Sequence, residues 1–133
     1  MKPYPHVYAA GADGTAEGVV RVTSAGLPTL DTTPPPEFGG PPGHWSPETL
    51  LVSAVADCFV LSFRGVARAS GFEWQKLDCE VEGTLERVEG VTRFSRFLTR
   101  ARLAIPAGGD EAKARQLLER AARVCLVANS LLG

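Results

Sequence analysis

The clearest alternation in the chain runs from Leu77 to Ile105. Leu77, Cys79, Val81 and Leu85 alternate with Asp78, Glu80, Glu82, Thr84 and Glu86. That is the period-two pattern of a strand with one buried and one wet face. Glu89-Gly90 predicts a turn. A returning strand then sets Phe97, Thr99, Ala101, Leu103 and Ile105 on one face and Arg96, Arg100 and Arg102 on the other. The acidic outer face of one strand meets the basic outer face of its neighbour. Each opposed pair contributes roughly 0.2–1 kcal/mol, which helps register more than stability. The charge run reads as a solvated sheet face and not as a nucleic-acid site.

Two segments carry helical spacing. Ser46 is a good N-cap, Pro47 suits the first helical position, and Glu48 complements the positive end of the helix dipole. Leu51, Ala54, Val55, Cys58, Ser62, Gly65, Val66 and Ala69 then form one stripe, with Leu50, Val52, Phe59, Val60 and Phe63 on other faces. A helix apolar nearly all round is buried on most sides. Gly71 stops it. A second helix is predicted after Asp110 as its cap, with Ala114, Leu117, Leu118, Ala121, Val124, Cys125 and Ala128 as its stripe. Glu111 with Arg115 and Glu119 with Arg123 are supportive spaced pairs on its outer face.

The first third is turn-rich. Gly11-Ala12-Asp13-Gly14 predicts a hairpin turn between strands at Val7–Ala10 and Gly18–Thr23, and Ala25-Gly26 a second turn before a short segment around Leu27–Leu30. From Thr33 to Ser46 the chain is dominated by proline and glycine, and no packed element is expected. A loop this long in a small domain is functional or a linker, and the expectation here is a loop over a cleft.

The order is strands, helix, hairpin, helix. One small sheet cannot cover a helix that is apolar nearly all round, so a second subunit is expected to cover the rest, with exchange of elements in a two-fold dimer as an accessible route.

Composition narrows the function. The 133 residues suit one domain, 1–133, and the 44% hydrophobic content is that of a soluble globular protein. A net charge of −1 provides no global field toward nucleic acid, an anionic membrane or an acidic substrate. The apolar run from Leu50 to Phe63 carries Asp57 and is too short for a membrane span. The N-terminus lacks an apolar signal-peptide core, and three cysteines is an odd count. Free or redox-active thiols in the cytoplasm are the expectation. His6 and His44 are isolated and the cysteines lack paired short spacing, so no metal site is expected. There is no phosphate-binding glycine motif either.

The candidate chemistry is therefore thiol chemistry. A cysteine in an apolar stripe commonly just fills volume. Cys58 or Cys125 becomes reactive only if a positive partner or hydrogen-bond donors lower its pKa. Glu48 lies ten residues before Cys58, about 15 Å along a helix axis, and cannot touch it directly. It could orient an arginine or contact the cleft of another subunit. Asp57, if near the sulfur, would raise the Cys58 pKa. Cys79 points inward with no polar neighbour on its own face and reads as core.

These residues carry a resemblance. Ser46-Pro47-Glu48, then Leu50-Leu51, Ala54 and Cys58-Phe59, is similar to the first-helix signature of the osmotically inducible protein C and organic hydroperoxide resistance (OsmC/Ohr) family. Cys125-Leu126-Val127-Ala128-Asn129-Ser130 resembles its second signature, usually Cys-Pro-Val-Ser-Asn-Ser, and Phe38-Gly39-Gly40 also matches. The resemblance implies an α+β fold: an intertwined homodimer with antiparallel sheets packed on two long central helices and sites at the subunit interface. It implies a thiol peroxidase acting on organic hydroperoxides, with no cofactor. By position, Cys58 is the attacking thiolate, Cys125 the resolving thiol and Glu48 the third site residue. A dithiol, often lipoyl-type, reduces the resulting disulfide. Phe38, Trp45 and Phe59 are expected as apolar walls that favour greasy substrates.

The chain departs from the family pattern at the arginine that stabilises the thiolate. Ala12 and Phe38 stand where its two branches place that residue, and Arg21 or His44 are the substitutes at hand. Leu126 replaces the usual proline, and the chain ends where many members continue into a last strand. The missing arginine motivates a second reading, a non-peroxidase relative that binds an apolar small molecule in the same cleft.

Overall fold

The computed structural model describes residues 2–131. They fall into two compact units, Met1–Leu50 and Leu51–Gly133.

In the first unit, strands β1 (Gly11–Asp13), β2 (Val20–Thr23) and β3 (Leu30–Thr32) form an antiparallel sheet in that order. The hairpin differs from its expected form. Gly11-Ala12-Asp13 is the first strand and not the turn, paired as Gly11↔Thr23, Ala12↔Val22 and Asp13↔Arg21. Val7–Ala10 is exposed and outside any strand. The β-branched run of β2 needed a partner, and the segment in register for it starts at Gly11, which moves the turn to the Gly14–Val19 stretch. The turn at Ala25-Gly26 is where expected, with Gly26 at φ 77° and Leu27 N donating to Ser24 O at 3.1 Å.

The Thr33–Ser46 loop holds only a 3₁₀ turn at Pro36–Phe38. Its ends are clipped together, Thr33 N donating to Trp45 O at 3.0 Å. At Gly40 a Cβ would lie 1.8 Å from Pro34 O, so no larger residue fits this fold of the loop.

Helix α1 spans Pro47–Ala69. Its start is a reciprocal capping box: Thr49 N donates to Ser46 Oγ at 3.1 Å and Ser46 N to Thr49 Oγ1 at 2.9 Å. Its end is a Schellman motif, with Phe72 N bonded to Ala67 O at 2.9 Å, Gly71 N to Arg68 O at 3.1 Å, and Gly71 at φ 62°. At 23 residues α1 is long and apolar enough, by length and composition, to cross a membrane. The apolar run from Leu50 to Phe63 is shorter than the helix that carries it, and a soluble protein's core helix meets the same criterion.

In the second unit, β4 (Lys76–Val88) and β5 (Val91–Ala104) form one long hairpin. Its two-residue turn is Glu89-Gly90, at φ 51° and 80°. Asp78↔Arg102 and Glu80↔Arg100 stand opposite each other on the outer face, as expected. The cross-strand ion pair that closes is diagonal, Arg100 Nη1 to Glu82 Oε1 at 2.9 Å, and Lys76 Nζ lies 3.4 Å from Asp78 Oδ1 along β4. The register shifts after Thr84, where Ser95 is the extra residue and hydrogen-bonds the Glu86 carboxylate. Helix α2 (Glu111–Val124) opens with Asp110 Oδ1 accepting from Lys113 N at 3.0 Å. Among the described residues, Glu111–Arg115 and Glu119–Arg123 do not close as ion pairs. All four side chains are exposed, where holding two long chains together returns little.

The core joins Phe59, Phe63 and Ala67 of α1, Leu77 of β4, and Leu117 and Ala121 of α2. Phe63 is fully buried and meets Trp74 edge-on, ring centres 5.1 Å apart. The buried face of α1 is thus Val55, Phe59, Phe63 and Ala67, and not the expected stripe through Ala54, Cys58 and Ser62. The bulky aromatics took the core. The smaller stripe is only half covered, and Leu61 remains 51% exposed. Gly83 lets the helix approach the hairpin: a Cβ there would lie 2.9 Å from both Phe94 and Val52.

Candidate functional site

Cys125 does not lie within a helix as its stripe suggested. Helix α2 ends at Val124, Cys125 adopts an extended conformation (φ −64°, ψ 104°), and a short helix α3 (Leu126–Ser130) begins after it. Asn129 holds the break. Its Nδ2 donates to Arg123 O at 3.0 Å, satisfying a carbonyl that the end of α2 leaves open, and its backbone N donates to Cys125 O at 2.9 Å. Periodicity could not register the break, since both helices keep Ala121, Cys125 and Ala128 at helical spacing. The signal present was Asn129, four residues after the cysteine.

The break has a chemical consequence. The first backbone N–H groups of a helix have no partner inside it. Those of α3 favour the thiolate forms of the two sulfurs. Burial pushes the Cys58 thiol up, but the Val127 N–H, the Cys125 thiol, the Ser62 hydroxyl and the Leu126 N–H all favour its thiolate, and the net shift is downward. Ser62 Oγ lies 3.9 Å from Cys58 Sγ, one helical turn along α1. Cys125 moves the other way. Burial raises it most, the Ala128 N–H lowers it, the contact with Cys58 raises it again, and the Val127 N–H offsets part of this. The pair is polarised: Cys58 ionises more easily than an ordinary thiol and Cys125 less easily. Both are free thiols, and Cys125 is only 2% exposed.

The question left by the missing arginine is answered in part by these amides. Arg21 and His44 lie in the first unit and Cys58 in the second. Arg21 is exposed and stands between Asp13 and Asp31 across its own sheet. Asp57 is exposed and does not act on the sulfur, so the expected upward push is absent. Backbone donors have no side-chain signature, which is why the sequence did not point to them. The residue at 126 matters here: a proline would have no N–H to give, and leucine does.

Other expected site residues divide. Glu48 sits in the first turn of α1, and its buried Oε1 has no hydrogen-bond partner among the described residues. Phe59 is a core residue and not a cleft wall: it follows Cys58 by one position and therefore points about 100° away around the helix. Phe38 and Trp45 are 60% and 47% exposed. The same unit has an apolar groove of about 460 Å³ lined by Leu51, Leu85, Phe94, Phe97 and Leu131, together with Arg93, and neither cysteine is in its lining. Leu51 lies two turns before Cys58 on the same face of α1, and Leu131 follows α3 directly. Among the described residues, no group of three His, Cys, Asp or Glu side chains gathers to hold a metal ion.

A profile of OsmC-like proteins matches residues 40–133. This chain belongs to the OsmC-like protein family. An organic hydroperoxide resistance protein OsmC from Legionella pneumophila is 27% identical, superimposing with a TM-score of 0.77 over 98% of this chain and 93% of its own. An OsmC-like protein of unknown function from Vibrio cholerae shares the fold at 15% identity, with a TM-score of 0.85 over 96% of this chain and 94% of that one. The uncharacterized protein YmaD of Bacillus subtilis is 25% identical over 123 residues, covering 90% of this chain and 77% of its own length. The α+β architecture of helices with antiparallel sheets is that of these OsmC-like proteins.

Proposed function

We propose that this OsmC-like protein is a cysteine-based peroxidase that reduces organic hydroperoxides. The polarised thiol pair is the observation that carries the reading. A peroxidase needs a thiolate to attack and a protonated thiol to resolve, and Cys58 and Cys125 hold those opposite tendencies. The Cys58 thiolate attacks the peroxide oxygen, the alcohol leaves, and Cys58 becomes a sulfenic acid. The Cys125 thiol then displaces water from that sulfur, forming a Cys58–Cys125 disulfide. A dithiol of the lipoyl type returns both sulfurs to the reduced state by exchange, itself becoming a disulfide.

The substrate tail is assigned to the groove beside Leu51, Phe94 and Phe97, whose apolar lining rewards alkyl or aryl groups and gives hydrogen peroxide nothing. The resistance protein from Legionella pneumophila supports the same substrate class. The working form is a homodimer in the cytoplasm. Leu61 and the half-covered stripe of α1 are surface that a second copy would bury. Glu48, with its unpartnered buried oxygen, is assigned to receive a donor in that assembly.

The test is turnover of cumene hydroperoxide by the reduced protein with dihydrolipoamide, against a Cys58→Ser control. Peroxide loss dependent on Cys58 supports the reading. Loss no greater than the control, with a hydrophobic compound co-purifying and both thiols titrating near the ordinary value of about 8.5, would favour the apolar-ligand binding protein instead.

A further inference from the structure

We propose that Ser95 is a positioning residue that gives the apolar groove its preference for an aryl group. As the pinned extra residue of a bulge, it brings the Phe94 ring beside that of Phe97 and so builds an aromatic wall. The inference rests on the assignment of the groove to the substrate tail and names the class of tail the groove favours.

Strict alternation along β5 would separate the two rings. Phe97, Thr99, Ala101 and Leu103 share one face, opposite Gly83, Val81, Cys79 and Leu77. Phe94 is an odd number of residues from Phe97. In a regular strand it would stand on the other face, with Arg96 and Arg100. The bulge reverses this. Arg96 pairs with Thr84 and Phe94 with Leu85, so Ser95 is left over and Phe94 returns to the face of Phe97. The two rings stack, their centres 5.2 Å apart and their planes at 28°. Both line the groove, together with Leu51 of α1 and Leu85 of β4.

Two further features hold this arrangement. The Ser95 hydroxyl hydrogen-bonds the Glu86 carboxylate, and Thr84 O lies 3.4 Å away. Both acceptors belong to β4, so the hydroxyl ties the extra residue back to the partner strand. Glu86 stands opposite Arg93 across the hairpin, yet among the described residues no ion pair joins them. The carboxylate is engaged by the bulge instead. Gly83 makes the room. A Cβ there would lie 2.9 Å from Phe94 Cε1, so the ring fills space that a side chain at 83 would take.

A wall of two rings rewards a flat partner. Aromatic pairs gain beyond the area they bury, enough for a preference of roughly threefold to tenfold. Greasiness alone points the other way. A cyclohexyl tail is more apolar than a phenyl tail of the same size and the leucines would accept it, but it has no π face to offer.

The probes are cumyl alcohol and its cyclohexyl analogue, titrated by NMR into the reduced protein with no peroxide present. The native protein is expected to bind the phenyl compound at least about threefold more tightly. Phe94→Leu, which keeps the groove apolar, is expected to lose the preference. Ser95→Ala is expected to lose it together with the nuclear Overhauser contacts between the Phe94 and Phe97 rings. Ser95→Thr, which keeps the hydroxyl, is expected to retain both. Equal binding of the two alcohols by the native protein, or a preference that survives in Ser95→Ala, overturns the inference. A second arm compares turnover of cumene hydroperoxide and its cyclohexyl analogue by the native protein, where the preference is expected in KM and not in kcat. Cys58-dependent turnover of both at equal KM overturns the inference and leaves the peroxidase reading intact. Aryl preference in binding without any Cys58-dependent turnover would contradict the proposed function and leave the aromatic wall in place.

Discussion

Cys58 and Cys125 shift each other in opposite directions: the contact that lowers the first raises the second. The asymmetry comes from their surroundings. Cys58 Sγ has Ser62 Oγ at 3.9 Å, while Cys125 is buried at the helix break.

One consequence is selective alkylation. Iodoacetamide at neutral pH should modify Cys58 ahead of Cys125 and Cys79, at a rate that rises through a pKa below that of a free thiol. Peptide mapping of the singly modified protein checks this. The linked stability effect has a definite sign. The thiolate of Cys58 favours the folded state above its unfolded pKa, and that contribution is lost as pH falls through the lower folded value. Cys125 is opposite: its contribution is present below its unfolded pKa and lost as pH rises through the higher folded one.

The Leu126 amide can be removed without breaking α3. Leu126 is the first residue of that helix, where proline is well tolerated, and the extended Cys125 before it suits a following proline. Leu126→Pro should leave the melting temperature within a few degrees, since its N–H has no helical partner to lose. It should raise the Cys58 pKa measured by thiolate absorbance. An unchanged pKa would mean that the Val127 N–H and Ser62 suffice.

Gly83 lies where the hairpin packs against the Val52 side chain of α1 within the second unit. Gly83→Ala places a methyl 2.9 Å from Phe94 and Val52, and should cost about 1–3 kcal/mol by denaturant unfolding. Phe63→Ala, deep in the core, should cost about 3–5 kcal/mol. Phe38→Ala, at an exposed position, should stay within about 0.5 kcal/mol.

The proposed dimer would use the uncovered part of α1. Leu61→Arg should shift the protein from dimer to monomer in sedimentation experiments if that face is the contact. A native protein that sediments as a monomer at micromolar concentration would remove the homodimer from the account.

Much of this was legible before any coordinates. Alternation located the β4–β5 hairpin and its Glu89-Gly90 turn, because strict period-two patterning over a long strand has few competing explanations. Capping chemistry placed Ser46, Gly71 and Asp110. Three things were not legible. The β1–β2 pairing was set by a register that no short apolar run specifies. The core face of α1 went to Phe59 and Phe63, since in an almost wholly apolar helix periodicity cannot choose between faces. The donors to Cys58 are backbone groups exposed by a break at Cys125, and helical spacing continues straight through that break.

The most direct measurement is a single-turnover reaction. Reduced protein receives one equivalent of cumene hydroperoxide, is blocked with N-ethylmaleimide within seconds, and is mapped without reduction. The account predicts that the peroxide is consumed and that the first disulfide joins Cys58 to Cys125. Peroxide left unconsumed, with all three cysteines recovered as maleimide adducts, would contradict it.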